Sequence, residues 1–171
     1  MVIYNDPLVA MLKTAKVHNT FTYLDGKNVD AQQVDPAPWM APSGSGDETK
    51  FNLTLDTTAA WVKESPVVSM IRKIDSPGPL NIKVTDTVEF SAATVGVFNL
   101  NSYTKPEIDG NSAIYKFKDF SVKVSWDWNG TVLHADRELC NGNHTPVYRL
   151  AVGTPKAVKH TGSVDIEICI I

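Results

Sequence analysis

Three groups of residues in this chain have the types that chemistry needs. The first is His134, Cys140, His144 and His160, all side chains that can ligate zinc. Their separations match no structural zinc pattern, and no paired CxxC is present, so neither a metal nor any other cofactor is expected. The second group is Cys140, His160 and Asp165, in the order nucleophile, base, orienting acid. A thiol nucleophile usually gains its low pKa from a helix N-terminus. Here Leu139-Cys140-Asn141-Gly142-Asn143 reads as a turn, which weakens a cysteine-hydrolase reading.

The third group sits in 136–146. It holds Arg137, Glu138, Asn141, Asn143 and His144, whose guanidinium, carboxylate, amide and imidazole groups hydrogen-bond polar ligands such as sugars. Trp126 and Trp128 lie on the strand before it, and an exposed indole could stack on a sugar face. Alternation favours a core position for Trp126 and leaves Trp128, beside a turn, open to either place. The expected ligand set is therefore Trp128, Arg137, Asn141, Asn143 and His144. No glycine-rich phosphate cradle or EF-hand spacing occurs.

The whole chain restricts the other classes. Its 171 residues can bury a core of their own. Apolar residues make up 43% and charged residues 20%, an ordinary globular balance. The net charge is −3, with 16 basic residues that never cluster, so no nucleic-acid-binding arm is expected. No apolar run approaches a bilayer span, and no signal peptide is visible at the N-terminus. An extracellular or particle-associated location stays open. The two cysteines, Cys140 and Cys169, could pair but need not. Three glycosylation sequons, at Asn52, Asn129 and Asn143, stand against about one or two expected by chance and decide nothing.

The elements that must position these groups read as strands. Residues 35–47, rich in Pro, Gly and Ser, form a long loop carrying Trp39 and Met40. Residues 50–55 alternate like a strand, 57–63 suit one or two helical turns capped by Asp56, and 67–74 lean toward strand. From Leu80 onward β patterning dominates, with a bulge at Gly96. Residues 112–128 read as one strand, bent near Lys118, whose face Phe120, Val122, Val124, Trp126, Trp128 is apolar. Asn129-Gly130 is a preferred two-residue hairpin turn. It would set Trp128 against Thr131, Trp126 against Leu133 and Val124 against Ala135. The final strand, 163–171, is apolar enough to require insertion in a sheet.

About nine strands with short turns imply a mostly β, single-domain β-sandwich over 1–171, with at most one or two short helices around 57–63. A jelly roll is one version and a closed barrel the alternative. The expected function is non-catalytic. The leading reading is a structural, self-assembling, coat- or particle-like subunit, with Trp39 and Met40 as assembly contacts and copies of itself as partners. A lectin-like carbohydrate-binding module is the alternative, and a cysteine hydrolase using Cys140 and His160 is the third.

Overall fold

A computed structural model describes residues 15–25, 38–140 and 146–170. Among them are twelve strands in two antiparallel sheets that pack as a sandwich. The larger sheet has the order β2 (Ser43–Gly46), β3 (Phe51–Asp56), β4 (Val67–Gly78), β5 (Asn81–Thr94), β12 (Ala157–Ile170), β9 (Phe120–Trp126), β8 (Ser112–Lys116), β7 (Glu107–Asp109). The smaller has β1 (Phe21–Tyr23), β6 (Gly96–Ser102), β11 (Pro146–Gly153), β10 (Thr131–Cys140). Among the described residues, helical structure is limited to two 3-10 turns, Ala15–Val17 and Thr58–Ala60. The second falls where helix was expected, and the Asp56 carboxylate accepts from the Thr58 amide at 2.9 Å.

The final strand is inserted as its composition requires. β12 lies between β5 and β9, with Val164 opposite both Val84 and Trp126. Within 35–47, Ser43–Gly46 pair with β3 as an edge strand that their composition did not suggest.

Two other expectations need correction. Residues 112–128 are not one bent strand. The chain reverses after Lys116, the Phe117 amide donates to the Phe120 carbonyl at 2.9 Å, and Tyr115 pairs with Val122. The change of phase near Lys118 marked a hairpin turn, which puts Tyr115 and Val122 on the same inner face. Nor does Asn129-Gly130 close a hairpin. β9 pairs with β12 and β8, while β10 pairs with β11 in the other sheet. Trp126 thus faces Val164, and Val124 faces Ile166. A two-residue hairpin turn occurs instead at Gly110-Asn111, where Asp109 pairs with Ser112 and Gly110 has φ of 53°.

The cause of the crossing lies in Trp128. Asp127 stays bonded to β12, its amide to the Ser163 carbonyl at 3.1 Å and its carboxylate to the Ser163 amide at 2.8 Å. Trp128 then turns inward, 8% exposed, with its indole N–H on the Gly153 carbonyl at 3.2 Å. A Cβ at Gly130 would fall 2.6 Å from the indole nitrogen, so glycine is required there for close approach.

The Gly96 bulge also proves to be a crossing: β5 ends at Thr94 in one sheet and β6 begins at Gly96 in the other. The crossing from β11 to β12 runs alongside it. The Thr154 amide donates to the Gly96 carbonyl at 2.8 Å, and the Gly96 amide donates to the Thr154 hydroxyl at 3.0 Å. Between the sheets, Phe98 packs edge-on to Trp128 and Tyr23 packs against Trp61 and Phe90. A bidentate ion pair joins Arg72 to Asp86 at 2.7 and 2.8 Å, and Arg72 also donates to the Asn19 carbonyl at 2.7 Å.

A Cβ at Gly96 would lie 2.3 Å from the Phe21 ring. Gly96→Ala should therefore destabilise the fold by about 1–3 kcal/mol through overpacking. Urea denaturation checks this; an unchanged midpoint would mean that the ring moves aside freely.

Candidate functional site

The sandwich separates His160 from Asp165 and from the end of β10 that carries Cys140. Along β12, His160 and Asp165 differ by an odd number of positions and so point to opposite faces. Asp165 is exposed, 3.9 Å from Lys83. His160 faces inward between Phe21 and Trp128, with centroids 6.5 and 5.6 Å away. Cys140 ends β10 eight residues from Val132, which lies across the ladders from Val152 and Phe98, and Phe98 pairs with Phe21 beside His160. That run is roughly 26 Å of strand. Cys140 and His160 are therefore too far apart for proton transfer, and the hydrolase set is not assembled. Cys169 is a free thiol. His134 lies near Glu138, 3.6 Å away, and among the described residues no metal-binding group of three forms.

Of the expected ligand set, Trp128 is in the core and offers no stacking face. Asn141, Asn143 and His144 lie outside the described residues. Arg137 is exposed and helps to line a surface cleft of about 440 Å³ with Lys105, Asp136 and Tyr148. Adjacent strands build this cleft, since Arg137 on β10 pairs with Tyr148 on β11. Asp136 accepts from the Arg137 amide at 2.8 Å and lies 3.3 Å from Lys105. These two partners, the backbone hydrogen bond first, lower its pKa. The arrangement presents two cations, a phenol ring and one carboxylate, suited to polar or anionic ligands.

Beside the cleft lies a network that sequence reasoning missed. Glu138 is paired with Lys16 and lies 3.6 Å from Arg149. Arg149 donates to Asn99 at 2.9 Å, and Asn99 donates to Thr22 at 3.0 Å. Burial pushes the Glu138 pKa up, but the Lys16 hydrogen bond and the charges of Lys16, Arg149 and His134 outweigh it, so the net shift is downward. Arg149 is 6% exposed, Asn99 and Thr22 fully buried, which marks a structural role. Nothing in the spacing of positions 16, 138 and 149 could have revealed it.

A concavity of about 500 Å³ lies elsewhere, lined in part by Tyr23, Asp25, Glu64, Ser65 and Lys156. Burial raises the Tyr23 pKa, opposed by a hydrogen bond to Ser65, with Asp25 adding to the rise. Of the two expected assembly residues, Trp39 is 89% exposed and Met40 half-buried. No helix among the described residues is long and apolar enough to cross a membrane, which says nothing of strands.

No family model and no curated protein matches the chain. Solved structures do. Heparan sulfate lyase HepC from Pedobacter heparinus superposes with a TM-score of 0.70 and 12% identity over 99% of this chain and 27% of the lyase. A structure titled heparinase III gives 0.67 and 12% over 95% of this chain and 25% of that one. The likeness is one of fold. The chain spans about a quarter of the lyases' length.

His160 provides a test of the core assignment. Burial lowers its pKa from the ordinary 6.5, partly offset by Asp127 and Asp86. The imidazole is thus neutral in the folded state at pH values where the unfolded chain takes up a proton. Stability should be constant with respect to this group above about pH 6.5 and fall as pH drops below it toward the lower folded-state pKa. Urea midpoints at pH 7.5 and 5 should show the loss, and His160→Phe should remove most of it. An equal loss in the variant would assign the effect to other groups.

Proposed function

We propose that this chain is a non-catalytic β-sandwich module that contacts a polar or anionic polysaccharide. The observation that carries the reading is the superposition of nearly the whole chain on part of heparan sulfate lyases. The cleft of Lys105, Arg137 and Tyr148 supplies the chemistry. Two cations can pair with carboxylate or sulfate groups, and the phenol ring can lie against a sugar face. Arg137 is the residue shared with the site expected from sequence. Trp128 is not part of the proposed site, because it is buried.

Binding of heparan sulfate, chondroitin sulfate and neutral glycans, measured by titration, tests this. At least one acidic glycan should bind, more weakly as salt rises. The double variant Lys105→Ala/Arg137→Ala should weaken that binding about tenfold or more. Binding to no glycan, or binding indifferent to both substitutions, would reject the proposal.

A second reading is assembly, either with copies of the chain or with another protein surface. Trp39 at 89% exposure, with Phe51, Leu53 and Leu80 each at 38%, favours it. Sedimentation at several concentrations should then give a mass that rises with concentration and falls back in Trp39→Ala. A strictly monomeric protein would remove self-assembly.

A further inference from the structure

At the end of β6 away from Gly96, the two sheets part around an open recess of about 170 Å³. Its apolar lining is Leu100 on β6, Val122 on β9, Ile166 on β12, and Phe117 just after β8. Phe117 is stacked on Phe120, with centroids 4.6 Å apart. Asn101 and Ser102 also line the recess, and both are bonded elsewhere. The Asn101 side-chain amide donates to the Lys16 and His18 carbonyls at 3.3 and 3.1 Å. The Ser102 hydroxyl accepts the Thr104 amide at 3.1 Å, in the turn that leads to Lys105. What the recess presents to a ligand is therefore mainly hydrocarbon.

Its rim is charged. Tyr148 lies two residues before the buried Leu150 on β11, so the two share the inner face. Tyr148 pairs with Ser102 on one side and with Arg137 on the other. Residues directly opposite in a ladder share a face, so Ser102 and Arg137 belong to the inner face that also carries Leu100. Arg137 stands two strand spacings from Ser102, roughly 10 Å. Lys105 is only three residues beyond Ser102, within about 11 Å along the backbone. Lys105 and Arg137 with the single carboxylate of Asp136 leave a positive excess beside the recess. A cavity of about 150 Å³ accommodates benzene, so the recess has room for one such ring and little more. We propose that this mouth of the sandwich binds an amphipathic carboxylate: an apolar group the size of a benzene ring in the recess, joined by a short chain to a carboxylate held by Lys105 and Arg137. A saccharide does not suit the recess itself, because its hydroxyls would face hydrocarbon with few partners. The proposal shares its two cations with the polysaccharide reading but not its ligand, and it stands even where no glycan binds.

The probe is phenylbutyrate with the ring on its terminal carbon. It is compared with the corresponding phenylbutanol, which lacks the charge, and with butyrate, which lacks the ring. In an NMR titration of the wild-type chain, phenylbutyrate should saturate and shift the methyl resonances of Leu100, Val122 and Ile166. Phenylbutanol should bind about three- to tenfold more weakly, the worth of the charged contact. Butyrate should bind about tenfold more weakly or worse, having no apolar group to bury. Lys105→Ala/Arg137→Ala should bring phenylbutyrate down to the affinity of phenylbutanol and leave that of the alcohol unchanged. Absence of saturation, no shift at the three methyl-bearing residues, equal binding of either comparison compound, or a preference for the acid that survives the double substitution would each overturn the proposal. Titrating heparan sulfate into the same two proteins reads the other proposal separately: glycan binding without phenylbutyrate binding would reject this one alone.

Discussion

The interaction on which the sandwich most depends is the reciprocal pair of hydrogen bonds between Gly96 and Thr154. Three times near this corner the chain leaves one sheet for the other: between β5 and β6, between β9 and β10, and between β11 and β12. Each crossing interrupts a ladder and frees backbone groups that must find new partners. Gly96 and Thr154 satisfy two such segments with each other. The Trp128 indole takes the Gly153 carbonyl and ties in the third. The same indole fills the space between the sheets against Phe98 and His160. Backbone satisfaction and core packing thus meet at one point. Glycine at 96 and 130 is the condition for that approach.

The opposite end of the smaller sheet is organised differently. Ser102 ends β6 about 20 Å from Gly96, at the usual rise per residue. There the Arg137–Tyr148 cleft lies, since Tyr148 pairs with Ser102. β10 and β11 set the positions of Arg137 and Tyr148, Lys105 comes from the connection between β6 and β7, and the Gly96–Thr154 corner lies at the far end.

How far the sequence could be read depended on what kind of pattern was present. Period-two alternation correctly marked β structure and the inward faces of Val124, Trp126 and Val164. It could not assign strands to sheets, because both sheets turn an apolar face inward. An apolar partner for Trp126 was available from β10 and from β12, and the tertiary structure chose Val164. Turn chemistry at Asn129-Gly130 pointed to a hairpin, but the burial of Trp128 overrode it. The phase of β12 did contain a usable signal for His160: it shares parity with Val164 and Ile166, so an interior position could have been read. The Lys16–Glu138–Arg149 network had no such signal, since it joins three elements distant in sequence. Of the candidate site, only Arg137 was legible. Tyr148 arrives there through strand pairing and Lys105 from the connection between β6 and β7, neither of which a local pattern encodes.

The margins of the larger sheet carry one further implication. Its outermost strands are short: Ser43–Gly46, wholly exposed and without a large side chain, and Glu107–Asp109, which bears two carboxylates. Long, flat, apolar margins invite another chain to continue the ladder, whereas brief or charged ones discourage it. The long apolar strands β5 and β12 are kept in the interior of the sheet. This geometry limits how molecules of this kind can come together. Among the described residues, growth by strand addition is disfavoured at both margins of this sheet, so association there has to be made through side chains, where shape and charge choose the partner.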